Sequence, residues 1–219
     1  MSAEKLDTDI RQEQIAQAAL ELVAAKGIKG LSVAAVARRI GLVPSALYRH
    51  FKGKDAVLDA AVALVGIKMQ ANIHAVMQET CNPLDRLHQL LTRHVRMIRE
   101  NVAIPRIIFS EDIFSGNPQR RKRVHQMLTG YLDEVARMIQ DGQRQGKIRT
   151  DADAHMLSVM FIGLIMPAGI LWHISDGGFD VTRQTQRAWK VFCQAIQTDK
   201  TLSSDGTLSG CTARRPDEK

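Results

Sequence analysis

Apolar side chains recur along this chain at the three-to-four spacing of α-helices, and no stretch alternates in the strand-like way for a useful length, so the fold class expected is all-α. A helix is predicted from about Asp9 to Lys26, where Ile15, Ala18, Ala19, Leu22 and Val23 form one stripe. Asp9 with Gln12 reads as its capping box, Gly27 as a left-handed C-cap, and residues 1 to 8 as a frayed arm. Next, Val33, Val36, Ala37 and Ile40 share one face behind an N-capping Ser32. Gly41 supplies a sharp turn, Leu42 can pack into the angle, and Pro44 suits the first turn of another helix. That helix is expected from Pro44 to Phe51. It would bury Leu47 and Phe51 and leave Ser45, Ala46, Tyr48, Arg49 and His50 facing outward or sideways.

Further on, Val57, Leu58, Ala61, Leu64, Val65, Lys68 and Met69 carry a long helix from Asp55 to about Met77. Pro83 starts another that runs to about Glu100, with Leu84, Leu87, Leu91, Val95 and Ile98 on its face. A shorter helix is expected from Arg106 to Phe114, and a long one from Pro118 to about Gln145. The last, from Val181 to Gln197, presents Trp189, Phe192, Cys193 and Ile196. Between them, Met156 to Trp172 carries no charge at all. A membrane span needs about 20 apolar residues and interfacial anchors, whereas this run contains Gly163, Pro167 and Gly169 and lacks anchors on both flanks. It is therefore expected to be a soluble helix kinked at Pro167 and buried on all sides, one face on its own domain and another on a second subunit. Residues 199 to 219, rich in Ser, Thr, Gly and charge, are expected to be disordered.

Charge sharpens this picture. The formal net charge is +7, and between Leu22 and Lys54 stand Lys26, Lys29, Arg38, Arg39, Arg49, Lys52 and Lys54 without one carboxylate. A basic excess concentrated on a helix-turn-helix pattern is what binding to a nucleic-acid backbone requires. A second basic run, Arg120 to Arg123, falls at a helix start, where cations oppose the macrodipole; it is expected to be solvated. Cys81, Cys193 and Cys211 form no CxxC pair, and no leading signal peptide is apparent, which points to a reducing cytoplasm.

The run from Gly30 to Leu58, GLSVAAVARRIGLVPSALYRHFKGKDAVL, resembles the DNA-binding domain of the TetR family of bacterial one-component regulators. Ala46-Leu47-Tyr48-Arg49-His50-Phe51-Lys52-Gly53-Lys54-Asp55 is close to that family's LYxHFxxKxxLL signature. One departure is Val43, where relatives usually carry Ser or Thr before the recognition helix. The resemblance implies a DNA-binding domain over residues 1–54, a helical effector-binding and dimerisation domain over 55–198 and a tail over 199–219. It implies a homodimer, joined through the last two long helices, that represses from a palindromic DNA operator until a small, largely apolar effector releases it. DNA-contacting residues would be Ser32, Arg38, Arg39, Pro44, Ser45, Ala46, Tyr48, Arg49, His50 and Lys54. Of these, Ser32, Tyr48 and Lys54 suit phosphates, and Ser45, Ala46 and Arg49 suit base edges. Arg11 is a weaker phosphate candidate.

Catalytic and metal readings find no support in the pattern. Ser45 has no convincing base at motif level, no phosphate-cradling glycine loop occurs, and His88 and His94 lie on different faces of one helix. No enzyme activity, cofactor or metal is expected, and no membrane. A ligand pocket is expected in the helical body, with Met97, Phe109, Phe114, Met127, Tyr131, Phe161, Met166 and Trp172 as apolar candidates and His94 and His125 as polar ones. An alternative is an architectural DNA-binding protein of the same fold with a solid core and no effector. A third reading, a helical enzyme or lipid carrier with a vestigial DNA head, conflicts with the intact reading-head motif.

Overall fold

A computed structural model describes residues 3–114 and 116–198. The expected disorder of residues 199–219 lies outside them. Eleven α-helices and one 3₁₀ turn account for the described elements: α1 Ala3–Lys26, the 3₁₀ turn Ile28–Gly30, α2 Val33–Arg39, α3 Pro44–Tyr48, α4 Lys54–Glu79, α5 Pro83–Glu100, α6 Ala103–Ile108, α7 Glu111–Phe114, α8 Pro118–Arg144, α9 Ala154–Gly163, α10 Met166–Ile174 and α11 Val181–Ile196. Among the described residues there is no strand, only an isolated bridge between Ile148 and Gln197.

Local chemistry explains most boundaries. The Ser32 Oγ accepts the Ala35 N–H at 3.1 Å and caps α2. Gly41, at φ +70°, lets the chain reverse, and the Leu42 N–H closes back on the Ala37 carbonyl at 2.9 Å. α3 is shorter than expected. It stops at Tyr48 because the His50 and Phe51 N–H groups both close on the Leu47 carbonyl, at 2.9 and 2.8 Å, and Gly53 at φ +154° then redirects the chain into α4. Phe51 is nonetheless buried, as is Leu47.

Four expectations need correction. α1 begins at Ala3 rather than Asp9, since Ala3-Glu4-Lys5-Leu6 are good helix formers and extend the helix through the proposed cap. The helix expected from Arg106 to Phe114 is two pieces, α6 and α7. Pro105 is accommodated in the first turn of α6, and the Ser110 hydroxyl donates to the Ile107 carbonyl at 2.7 Å, ending that helix early. The uncharged run is α9 and α10 rather than one kinked helix. The break falls just before Pro167, with 3₁₀-type bonds from Leu164 N–H to Phe161 and from Ile165 N–H to Ile162. Within the single protomer Met156, Val159, Met160 and Leu171 of this run are exposed. By length and hydropathy alone, α4 and the α9–α10 stretch could each cross a membrane; here both pack into the common core.

The fourth correction concerns Arg120. It is not solvated but 1% exposed, and it is held by acids on α4: Nε to Asp59 Oδ1 at 2.6 Å, and NH2 to Asp55 Oδ1 at 2.8 Å. Arg123 adds a bond to Asp59 Oδ2 at 2.9 Å. Burial works against the Arg120 charge, but the hydrogen bonds and charges of Asp55 and Asp59 outweigh it and leave the pKa raised. The first turn of α8 is thus fastened to the first turns of α4, directly beside the helix-turn-helix. One continuous buried cluster, from Ile15 through Leu47, Leu58 and Val65 to Ile196, joins that unit to the rest of the molecule.

Arg120→Ala removes charge-assisted bonds made by a buried guanidinium to Asp59 and to the largely exposed Asp55, and should destabilise the fold by about 2 kcal/mol. Lys122→Ala, exposed on the same turn, should stay within about 0.5 kcal/mol. Urea unfolding of the two variants checks this; equal midpoints would mean that the clamp contributes nothing.

Candidate nucleic-acid interface and buried cleft

α3 lies on the surface with Ser45, Tyr48, Arg49 and His50 exposed, Pro44 exposed at its start and Ala46 half-buried. Leu47 anchors it to the core from below. Lys52 and Lys54 follow on the same exposed strip, at the start of α4. Val43, the N-cap residue of α3, is 63% exposed and makes no side-chain capping bond. Of the residues on α2, Arg38 is exposed, whereas Arg39 is ion-paired with Glu21 of α1 at 2.5 Å, an acid one position outside the acid-free run. The Ser32 hydroxyl oxygen is engaged in capping α2, which leaves its proton free to donate outward. Arg11 bonds Gln14 on its own helix. A short helix with small residues in its first turn, set among cations, presents N–H groups, a phenol and a guanidinium to a polyanion.

The body contains a narrow cleft walled by α4, α5, α6, α8 and the α9–α10 pair, with a cavity volume of about 60 Å³. Among the residues anticipated from sequence, His94, Met97, Phe109, Met127 and Met166 line it. Tyr131, Phe161 and Trp172 do not. Tyr131 stands behind His94, Phe161 is fully buried against Phe192, and Trp172 packs beside Val95, Ala168 and Val181. Phe114 and His125 are exposed outside it. The pocket candidates left out Met69, Ile104, Ile108, Leu128 and Ile162, which with Val65, Ile98, Pro105 and Gly169 complete the wall. Their apolar spacing marked them as interior, and nothing local distinguishes a residue that borders a void from one that meets a neighbour.

His94 is the one titratable group in this apolar wall. Its Nδ1 lies 3.2 Å from the Tyr131 hydroxyl, and the rings meet edge to face at 5.5 Å. Burial lowers the His94 pKa from 6.5 to about 4 and raises that of Tyr131, so near neutral pH the pair is uncharged. The cleft therefore offers hydrogen bonding without a formal charge.

This burial predicts a pH signature. Below pH 6.5 the unfolded chain protonates His94 while the folded chain does not, so stability is intact above that pH and declines toward about pH 4. The full loss is roughly 3 kcal/mol. Denaturant unfolding across this window should show a steeper decline for the native sequence than for His94→Gln. Parallel profiles would contradict a buried neutral imidazole.

Residues 15–61 match the family model described as bacterial regulatory proteins, tetR family, and residues 67–195 match that of the YsiA-like protein C-terminal region. The fatty acid metabolism regulator protein of Bacillus subtilis (strain 168) is 24% identical over 84% of this chain and 94% of its own length. The nucleoid occlusion factor SlmA of Vibrio vulnificus (strain YJ016) is 21% identical over 85% of this chain and 96% of its own. In fold, the chain is similar to the transcriptional regulator FadR from Bacillus subtilis in complex with stearoyl-CoA, with a TM-score of 0.71 at 21% identity over 84% of this chain and 99% of that one. With the reading head and the body both matched across nearly all of the described residues, the chain belongs to the TetR family of bacterial transcriptional regulators.

Proposed function

We propose that this regulator is a homodimeric repressor that places α3 of each protomer in successive major grooves of a palindromic operator and is released when a small, largely apolar effector fills the cleft. The observation that carries the reading is the pairing of an exposed α3, flanked by Arg38, Arg49, Lys52 and Lys54, with an apolar cleft in one continuous core. In this reading residues 1–54 are the reading head and 55–198 the effector and dimerisation body. Ser32, Tyr48 and Lys54 contact phosphates; Ser45, Ala46 and Arg49 read base edges; Arg38, Pro44 and His50 flank them. Arg39 contributes to the extent that Glu21 releases it. The protomers join through the α9–α10 stretch and α11, where Met156, Met160, Ile174 and Val191 are exposed apolar groups. The protein works in the cytoplasm, on the nucleoid.

The family's named relatives support an effector with an acyl chain, since one regulates fatty acid metabolism and one structure holds stearoyl-CoA. Likeness to SlmA keeps a second reading in view, an architectural DNA-binding protein without effector. An apolar ligand that raises the melting temperature supports the first reading, and a flat response across a panel of apolar ligands supports the second.

Genomic fragments recovered with the purified protein, then footprinted, test the DNA reading. A protected palindrome beside a promoter is expected; random recovery with a steep salt slope would overturn specific repression. On that operator Arg49→Ala should cost about 1–3 kcal/mol and relax base preference, whereas Lys54→Ala should weaken all sequences alike and flatten the salt slope. Equal losses on operator and random DNA for both variants would sink this division of labour.

A further inference from the structure

A groove between α4 and α5 runs alongside the cleft and is lined by Lys68, Ala71, Asn72, Arg93, Arg96, Met97, Glu100 and Asn101. Met97 belongs to both, forming the wall of the cleft on one side and the lining of the groove on the other. Its thioether is touched by the Asn72 amide at 3.9 Å, and a methionine with three rotatable bonds yields more readily than a branched or aromatic partition.

The charges of the groove are unbalanced. Arg93 is paired with Glu79, while Glu100 is the groove's own acid. Lys68 is half-buried and hydrogen-bonds only neutral oxygens, Gln17 Oε1 at 3.0 Å and Asn101 Oδ1 at 3.3 Å. Among the described residues neither Lys68 nor Arg96 has an acidic partner within ion-pair distance. Lys68 and the exposed Arg96 therefore stand with no carboxylate in ion-pair distance, in a groove whose one acid is Glu100, and Met97 alone separates that groove from the apolar cleft. DNA phosphates do not account for them, because fourteen residues of α4 separate Lys68 from Lys54 at the reading head, roughly 20 Å of helix.

We infer that this groove binds the anionic group of an amphiphilic effector, a phosphate or carboxylate joined to the apolar chain that occupies the cleft. The inference rests on the effector reading above and adds the ligand's polar half. Lys68 and Arg96 take the anion, and Met97 moves aside for the linking atoms. The cleft itself, with a neutral His94, has no cation to hold a charged group, so the anion belongs outside it. An anion on Lys68 competes with Gln17 of α1, and occupancy thereby loosens a tie between the body and the helix supporting the reading head.

Displacement of the neutral dye Nile red from the full-length protein tests this with three probes: decyl phosphate, decanol and inorganic phosphate. Decyl phosphate should displace the dye at about tenfold lower concentration than decanol, and inorganic phosphate should not displace it. Lys68→Gln and Arg96→Gln should each erode that preference without changing the decanol midpoint, and Lys68→Arg should retain it. Arg99→Gln, outside the groove, should behave as the native protein. Equal midpoints for decyl phosphate and decanol, or a preference that survives in both glutamine variants, would overturn the head-group site and leave the apolar cleft standing. Dye release by neither amphiphile would remove the effector reading and the site together.

Discussion

The orientation of the reading head depends on α4, a helix that both halves of the molecule share. Its first turns carry Asp55 and Asp59 into the Arg120 clamp; its middle carries Leu58, Ala61 and Val65 into the common core; and Val65 and Met69 then wall the cleft. α3 reaches α4 through only five residues, 49 to 53, and its Leu47 lies in the same buried cluster as Leu58, Ala61 and Val65 of α4. A second tie runs through α6. Ile104, Pro105 and Ile108 of that helix wall the cleft, while Arg106 donates to the Val23 and Ala24 carbonyls at the C-terminal end of α1, the former shared with the Gly27 N–H. The same short helix thus meets both a ligand space and the support of the reading head.

Local features of the reading head were legible in the sequence because each is decided within a few residues. Ser32 caps, Gly41 reverses at positive φ, and Pro44 opens a short helix whose Leu47, together with Phe51 just beyond its end, is buried. The dipole argument for Arg120 failed for the opposite reason: its partners lie 61 and 65 residues earlier, and only the meeting of α8 with α4 brings them within reach. The cleft was partly legible. Its wall is assembled from side chains of several helices, so periodicity could nominate Met97, Met127 and Met166 as interior without separating them from Phe161 or Tyr131, which are interior and away from the void.

The uncharged run from Met156 to Trp172 illustrates how a correct composition argument can miss the element. It is too apolar to face water, and α9 does bury Leu157, Ser158 and Phe161. Yet Pro167 divides it, and Met156, Val159 and Met160 lie on the side turned from the protomer's core, with Ile174 and Val191 also exposed on α10 and α11. Exposed apolar groups of this kind are costly in water, and in a family whose members form dimers a symmetric partner presenting the same face would cover them without any new sequence requirement.

Coupling between cleft and DNA is limited by differences rather than by affinities. A ligand that filled the cleft equally well in both arrangements of the reading head would leave DNA affinity unchanged however tightly it bound. What the effector must distinguish is therefore the packing of α4 and α6 in each arrangement, and couplings of this kind are typically about 1–3 kcal/mol. Met69, Met97, Met127 and Met166 can adapt to many apolar shapes at small cost, which favours breadth in the chain and gives little discrimination between states. Discrimination is better supplied by groups that reach from body to head, such as Lys68 on Gln17 and Arg106 on α1, since a bond of this kind would favour the arrangement that keeps it. An apolar chain would then provide the affinity, and the polar contacts at its edge would decide whether the reading head is held or released.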